Sequence, residues 1–284
     1  MNDQAQQLRN MMLEQRESDA PLLPPRMIAF LGGDDRVGSS TACVAIASAI
    51  ARSGERTLLI DGDLRRGSIA RITGIQDTDC CVQDVLAGNV RLGNAFQPGP
   101  HGLLVLPSHG EALFQPQYSP EEIKRLFEDT ANASQLGDLI ILDCSHGDQR
   151  LLSPAIQSAD RLVITTTASE QAVLETYRMI KSLVNRHPAL RCEAGEYAGS
   201  AFIDLLVNGA DNEQAAAELA KRRQATCEQH LDFRPGYSGW IPKQPDLLKV
   251  QTDSVSNSLI SEIASRLAKV KKVENKSEID RCEV

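Results

Sequence analysis

A glycine-rich stretch near the start of the chain has most of the pattern of a phosphate-binding loop. This phosphate loop, GGDDRVGSST at residues 32–41, follows an apolar run and precedes the helix-like run ACVAIASAIA. In G-x-x-x-x-G-K-[ST], backbone N–H groups surround the phosphates, the lysine neutralises their charge and the hydroxyl binds magnesium. Gly33 and Gly38 have the required spacing and Ser40 supplies the hydroxyl, but Ser39 stands at the lysine position. By itself, the pattern is also compatible with an ordinary β–α turn.

The charges inside the phosphate loop are opposite to those that a phosphate requires. Asp34 and Asp35 bring two negative charges towards an anionic ligand, while Arg36 beside them is a cation that would replace the lysine. Arg65 and Arg66, further along the chain, are the alternatives to Arg36. The sequence does not decide among these three arginines.

Acidic residues end two further apolar runs. LLIDGD places Asp61 and Asp63 at the end of a second strand, and LIILD ends at Asp143. Carboxylates in these positions would hold magnesium, through Asp61 and Asp143, and orient an attacking water, through Asp63. The alternative is that acids at strand ends cap the helix that follows.

Short apolar runs alternate with amphipathic patterns along the chain, and this alternation predicts the fold. Continuous apolar strands separated by helices are typical of a parallel sheet covered on both faces. We predict a doubly wound α/β fold with a mostly parallel sheet, helices on both faces and ligands beyond the carboxyl ends of the strands. The predicted strands are 27–31, 56–61, 102–107, 139–143, 161–166, 201–207 and 237–241, and the predicted helices are 40–52, 120–131, 171–186, 213–230 and 256–270.

Composition bounds the domain number and the kinds of partner. The 284 residues, 42% of them hydrophobic, are enough for one large core. We expect a flexible N-terminal segment with a proline-rich spacer over residues 1–26, one domain over 27–270 and a polar tail over 271–284. The net charge of -8 argues against a nonspecific grip on nucleic acid or anionic lipid.

The cysteines and the termini indicate the compartment. The seven cysteines include no C-x-x-C, so the sequence suggests neither a disulfide framework nor a zinc site. The N-terminus MNDQAQQLRN is polar, and no apolar run approaches the roughly 18 residues of a membrane span. These features predict a cytoplasmic protein.

The order of the motifs resembles that of the MinD/ParA class of P-loop ATPases, and within it the FlhG family, also called FleN or YlxH, which controls flagellar number and placement. IAFLGGDDRVGSST is similar to the family's I-A-V-x-S-G-K-G-G-V-G-K-T-x, LLIDGDLRRGSI to its switch I strand end, and LIILDCSHG to its Walker B and switch II segment. SADRLVITTTASEQAVLETYRMIKSL, LLVNGADNEQAAAELAKR and GWIPKQPDLLKV extend the likeness over nearly the whole chain.

The resemblance assigns roles to individual residues. It implies a P-loop NTPase fold that binds ATP or ADP with Mg²⁺, with Asp63 as the catalytic residue. Asn208 matches the family's base-contacting asparagine. The implied magnesium ligands are Ser40, Asp61 and Asp143, and the implied nucleotide-binding residues are Gly33, Arg36, Val37, Gly38, Ser39, Ser40, Thr41 and Asn208.

The stretch NDQAQQLRN points to the FlhG family rather than to MinD. Asp3, Gln4, Ala5, Leu8 and Arg9 match the segment D-Q-A-x-x-L-R, with which that family engages and activates the FlhF GTPase. A proline-rich spacer separates this segment from the domain. The alternative is a frayed polar terminus.

The sequence departs from the family at residues that carry charge. The first loop lysine, which in the family reaches the partner's nucleotide across a dimer, is Asp34, the second is Ser39, and the acid of G-x-I-P-x-D is Gln244. Loss of one charge-assisted contact costs about 1.5–3 kcal/mol, and loss of a charge clamp from a transition state costs roughly 10³ in rate. From Lys271 a polar tail takes the place of the family's membrane-targeting helix.

The sequence is therefore compatible with three functions. The preferred one is a FlhG-like regulator that works through an FlhF-type GTPase and flagellar basal-body or regulator proteins, with its ATPase activity impaired or lost. The second is an ATPase switch that forms a homodimer and needs an arginine in place of the lysine. The third is a polysaccharide tyrosine kinase, because IDGDLRRGS is similar to I-D-A-D-L-R-R-P, but the C-terminal tail contains no tyrosine.

Overall fold

The strands of the described residues form one sheet. The computed structural model describes residues 24–34, 37–75, 80–109, 118–145, 149–187, 190, 203–243 and 254–269. Within these ranges the strands are β1 Arg26–Gly32, β2 Thr57–Asp61, β3 Gln97–Pro98, β4 Leu104–Leu106, β5 Leu139–Asp143, β6 Arg161–Thr166, β7 Ile203–Ala210 and β8 Gly236–Pro242.

The sheet has the order β3-β4-β2-β5-β1-β6-β7-β8. β3 pairs antiparallel with β4, and the other neighbours pair in parallel. From the central β1 the chain first builds the sheet towards β2 and later towards β6, so β1 lies at the switch point where such folds bind ligands. The predicted doubly wound, mostly parallel fold is confirmed.

Helices connect the strands and cover the sheet. Ser119, Ser169 and Asn212 cap the starts of three of them, each accepting a backbone N–H with its side chain. Within the described residues the helices are α1 Ser39–Arg52, α2 Ser68–Thr73, α3 Val82–Leu86, α4 Leu92–Ala95, α5 Pro120–Ala131, α6 Gln149–Ser158, α7 Glu170–Arg186, α8 Glu213–Leu231 and α9 Ser254–Ala268.

Both faces of the sheet are buried. Along β1, Met27, Ala29 and Leu31 belong to one hydrophobic cluster, whereas Ile28 and Phe30 belong to the cluster on the other face. Because side chains alternate along a strand, burial on both faces produces the uninterrupted apolar runs of the sequence.

The predicted apolar stripe of the last helix also faces the core. Ile260, Ile263 and Leu267 of α9 are at most 3% exposed. Val270, its fourth member, lies outside the described residues. No helix of the described ranges combines the length and apolar character needed to cross a bilayer.

The predictions missed several short elements and one helix with an internal proline. α2, α3, α4 and β3 have six residues or fewer, too short for a periodic pattern to emerge. α6 contains Pro154, which usually argues against a helix interior. The run predicted at 102–107 forms a strand only at Leu104–Leu106, since Gly102 has φ +82° in a short 3₁₀ turn.

Candidate nucleotide site

The side chains singled out above lie at one edge of the sheet. Asp61 of β2 and Asp143 of β5 are register partners, and Phe30 of β1 is paired with Asp143 on its other side. Gly32, where the phosphate loop begins, is paired with Thr165 of β6. Parallel strands end together, so the loop and the acids share the carboxyl edge.

The phosphate loop keeps the backbone geometry that its two key glycines provide. The Gly33 N–H donates to the Thr165 carbonyl at 2.8 Å, and a Cβ on Gly33 would lie 2.3 Å from Thr176 Oγ1. Gly38 caps α1 with φ +75°, and a Cβ there would lie 2.5 Å from Asn208 Nδ2. Neither position accommodates a side chain without displacing its neighbours.

Ser39, at the lysine position, turns into the protein. It is 1% exposed, and the Thr165 hydroxyl donates to its Oγ at 3.2 Å. Ser40 is 8% exposed and lies near enough to Asp143 for its hydroxyl to lower the pKa of that carboxyl. Val37 is buried in the loop, and Thr41 is half-buried in the first turn of α1.

Asn208, at the end of β7, contacts the phosphate loop directly. Its Nδ2 donates to the Val37 carbonyl at 2.7 Å. The structure thus places this predicted base-contacting residue against the loop, where its side chain supports the turn at Gly38. Its role towards a base remains a prediction.

The arginines and acids of the loop are placed only in part. Asp34 Oδ1 accepts a hydrogen bond from Gln171 Nε2 at 3.4 Å, which joins the loop to α7. Arg65 and Arg66 are both exposed in the turn after β2. Asp35, Arg36, Gln244, the tail 271–284 and the N-terminal residues Asp3, Gln4, Ala5, Leu8 and Arg9 lie outside the described residues.

Three carboxylates, Asp61, Asp63 and Asp143, form what we call the acid cluster, and all three are 0% exposed. Asp61 Oδ1 accepts the Asp63 N–H at 3.0 Å, and its Oδ2 accepts the Ser108 hydroxyl at 3.0 Å and the Ile69 N–H at 3.3 Å. Ile69 is in the first turn of α2, so Asp61 also caps that helix, as the alternative interpretation of the sequence expected.

Asp143 has one oxygen engaged in hydrogen bonds and one without a hydrogen-bond partner among the described residues. Its Oδ1 accepts both the Ser145 N–H, at 3.1 Å, and the Ser145 hydroxyl. Its Oδ2 is buried and accepts no hydrogen bond from any described residue. A buried carboxylate oxygen in this state is costly without a cation or a water.

Burial and crowding of negative groups raise several pKa values at this edge. Burial raises the pKa of Asp61 well above its usual range, and the charges of Asp143 and Asp63 add to the increase. Burial likewise raises the pKa of Asp143. The Cys43 and Cys144 thiols have strongly raised pKa values because they are buried beside these carboxylates.

Within the described residues, the site fits the magnesium end of a nucleotide complex, and a serine occupies the lysine position of its loop. Asp143 Oδ2, the Ser40 hydroxyl and Asp61 are oxygen donors of the kind that Mg²⁺ prefers. The phosphate loop offers backbone geometry but has Ser39 turned inward and Asp34 in place of cations. We therefore derive no hydrolysis step from this arrangement.

Sequence reasoning missed the hydroxyls that hold the acid cluster and the loop. Ser108 donates to Asp61 Oδ2 and to the Asp63 carbonyl, Ser145 binds Asp143, and Thr165 binds Ser39. Each lies at the end of a strand or within two residues after it. A hydroxyl residue next to a strand end was the signal in the sequence that could have identified them, because the strand ends at this edge of the sheet converge on the site.

Comparisons with known proteins agree with this architecture. The sheet order and the glycine-rich loop before α1 define a P-loop NTPase fold of the MinD/ParA type. A family model described as an AAA domain matches residues 26–189, more than half of the chain, and the protein belongs to this family, in its MinD/ParA class.

The individual relatives have low sequence identity to this chain, but each alignment covers most of both proteins. An uncharacterised ATP-binding protein of Methanocaldococcus jannaschii is 24% identical over 250 residues, covering 84% of this chain and 86% of that protein. The antiactivator FleN of Pseudomonas aeruginosa is 23% identical over 226 residues, covering 80% of this chain and 76% of FleN. The septum site-determining protein MinD of Pyrococcus horikoshii, solved with Mg-ADP, superposes with a TM-score of 0.66 at 18% identity, covering 89% of this chain and 99% of MinD.

Proposed function

We propose that the protein is a FlhG-like regulator of flagellar number or placement that acts through protein partners and hydrolyses ATP poorly or not at all. The observation that carries this proposal is the state of Ser39. It stands where a lysine would neutralise phosphate charge, and it is instead buried and bound by Thr165.

The flagellar part of the proposal rests on two independent likenesses. FleN is an antiactivator and aligns with most of the chain. The N-terminal residues Asp3 to Arg9 carry the D-Q-A-x-x-L-R pattern, which is separate from the motifs that resemble MinD. We infer that this segment binds and stimulates an FlhF-type GTPase.

The domain in this proposal is a scaffold in which contacts within the protein hold the phosphate loop. Asn208 and Thr165 hold the phosphate loop through its Val37 carbonyl and Ser39 side chain. Gln171 ties Asp34 to α7. These contacts join the phosphate loop to β6, β7 and α7.

The test is the stimulation of a cognate FlhF-type GTPase by the purified protein. We expect the full chain to accelerate GTP hydrolysis and a chain that lacks residues 1–20 to have no effect. Arg9→Ala should lose most of the stimulation, whereas the matched control Arg16→Ala, outside the pattern, should retain it. Equal stimulation by the truncated chain would contradict the proposed role of the N-terminal segment.

A second candidate function, the ATP-dependent switch, is favoured by one observation. The acid cluster and the Ser40 hydroxyl retain the oxygen donors for magnesium, and Asp143 Oδ2 is buried without a hydrogen-bond partner among the described residues. In this alternative Asp63 orients the water and a cation from elsewhere replaces the lysine. Nucleotide titration separates the two candidates.

A further inference from the structure

Three side chains with metal-binding atoms meet outside the nucleotide site. Cys81 Sγ, an oxygen of Asp84 and a ring nitrogen of His109 all lie within 4.8 Å of one another. Cys81 Sγ is 3.0 Å from Asp84 Oδ2, and His109 Nε2 is 4.0 Å from the same oxygen. We call these residues the Cys–Asp–His cluster.

Two separate segments build the Cys–Asp–His cluster. Cys81 and Asp84 come from the start of α3, and His109 comes from the segment that follows β4. The Val82 N–H donates to the Pro107 carbonyl at 2.9 Å, and the His109 N–H donates to Gln83 Oε1 at 3.3 Å. These hydrogen bonds hold the two segments side by side.

Helix capping explains only part of the arrangement. Cys81 and Asp84 form a capping box at the start of α3, in which Asp84 Oδ2 accepts the Cys81 N–H at 3.1 Å. Cysteine is not among the residues favoured at this position, where serine, threonine, aspartate and asparagine predominate. Capping also gives no reason for a histidine ring beside the same carboxylate.

We propose that Cys81, Asp84 and His109 bind one zinc-type divalent cation, with water in the fourth position. A mixed set of thiolate, imidazole and carboxylate ligands suits Zn²⁺, whereas Mg²⁺ and Ca²⁺ prefer oxygen alone. Cys81 is buried at the base, while the side chains of Asp84 and His109 are 26% and 48% exposed and leave a path for the ion. As the metal–sulfur bond forms, the Cys81 thiol releases its proton to solvent.

The position of this metal site connects it to the nucleotide edge. Ser108, next to His109, donates its hydroxyl to Asp61 Oδ2 and to the Asp63 carbonyl. Gln83, within the capped turn, donates to the Leu64 carbonyl at 3.3 Å. A cation on the Cys–Asp–His cluster therefore fixes the segment that positions two members of the acid cluster.

The test is zinc binding by the full chain, measured by competition with a chromophoric chelator. We expect one equivalent to bind, and Cys81→Ser and His109→Gln each to weaken binding at least about tenfold. Serine is a favoured helix cap and His109 is half exposed, so both variants should fold, as circular dichroism without metal will verify. Cys80→Ser, which removes the neighbouring thiol, should bind zinc like the unaltered protein.

Cobalt provides a second readout, which identifies the ligand atom of the bound metal. Co²⁺ bound through Cys81 should give a thiolate-to-metal charge-transfer band that is absent in Cys81→Ser and present in Cys80→Ser. Zinc binding that is unchanged in Cys81→Ser or in His109→Gln would overturn the proposal. Failure of the unaltered protein to bind zinc at micromolar concentration would overturn it as well.

Discussion

Asp61 and Asp143 are register partners on adjacent parallel strands, and both side chains are completely buried. The negative charge of each carboxylate makes it more costly to ionise the other acidic groups buried nearby. The raised pKa values of Asp61, Cys43 and Cys144 reflect this cost. A pair of buried acids in this register is unfavourable for folding alone. It is the arrangement that a divalent cation would stabilise.

We predict that Mg²⁺ raises the melting temperature of the unaltered protein and has little effect on Asp143→Asn. The substitution keeps the shape of the side chain but removes the charge that attracts the cation. In a chelating buffer Asp143→Asn should be as stable as the unaltered protein or more stable, because one buried charge has been removed.

Asp138→Asn is the matched control for this experiment. Asp138 lies at the other end of β5 and forms an exposed ion pair with Arg56. Its substitution should leave the magnesium response intact. If Mg²⁺ still raised the melting temperature of Asp143→Asn but not that of Asp138→Asn, the assignment of Asp143 as a magnesium ligand would be wrong.

Restoring the lysine should restore phosphate affinity. Ser39→Lys supplies the missing charge, and one charge-assisted contact is worth about 1.5–3 kcal/mol, or roughly 10–150-fold in ATP affinity. Ser39→Met is the control, since it adds length without charge and also breaks the contact with Thr165. Calorimetry compares the two, and equal ATP affinities for the lysine and methionine variants would show that charge is not what the loop lacks.

The turn at Gly38 should be sensitive to a single methyl group. Gly38→Ala combines an unfavourable positive φ, which costs about 1–3 kcal/mol, with a clash against Asn208 Nδ2 at 2.5 Å. Gly74→Ala is the control, because Gly74 has a similar φ of +78° and nothing within 4 Å of its added Cβ. Urea unfolding should therefore place Gly38→Ala below Gly74→Ala in stability.

A double-mutant cycle separates the clash from the backbone strain. Asn208→Ala alone should cost about 0.5–1.5 kcal/mol for its lost hydrogen bond to Val37. Combined with Gly38→Ala, it also removes the atom that clashes, so the double variant should lose less than the sum of the two single losses. Strictly additive losses would argue against direct contact between the two residues.

These residues illustrate what the sequence discloses and what it does not. The apolar runs of β1, β5 and β6 are uninterrupted because both faces of the sheet are buried, and for that reason their bounds were predictable within one residue. The spacing of Gly33, Gly38 and Ser40 likewise placed the phosphate loop. These features depend on local pattern alone.

Long-range contacts account for what was missed. Ser108 lies 47 residues from Asp61, and Thr165 lies 126 residues from Ser39, so no local pattern joins them. The Cys–Asp–His cluster was not predicted for a similar reason, since it is the packing of β4 that brings His109 next to α3. Asn208 was identified by resemblance, but its contact with Val37 required the fold.

The pH dependence of stability offers a test at Asp204, which lies at the start of β7, at the end of that strand opposite to the carboxyl edge of the sheet. Burial raises the pKa of Asp204, although the charge of Arg161 and hydrogen bonds from Arg161 and Ser238 lower it. An unfolded aspartate has a pKa of about 3.9. The stabilising contribution of a raised pKa is therefore present below that value and is lost as pH rises through the folded pKa.

We therefore predict that the stability advantage of the unaltered protein over Asp204→Asn shrinks as pH increases from about 4 to 7. Urea unfolding in a chelating buffer at several pH values measures this difference. In Asp204→Asn, Arg161 loses its ion-pair partner. This loss adds a constant to the difference in unfolding free energy, and the constant does not change with pH in this range. An advantage that grows with pH would mean that the pKa of Asp204 is lowered rather than raised.

Nucleotide titration tests most directly whether the phosphate loop has lost its charge clamp. The purified full chain would be titrated calorimetrically with ATP and with ADP in magnesium buffer, and the same sample assayed for phosphate release. We predict no heat of binding at micromolar nucleotide and no phosphate release above that of an Asp63→Asn control. Micromolar ATP binding with phosphate release that Asp63→Asn abolishes would contradict the account and establish the ATPase switch in its place.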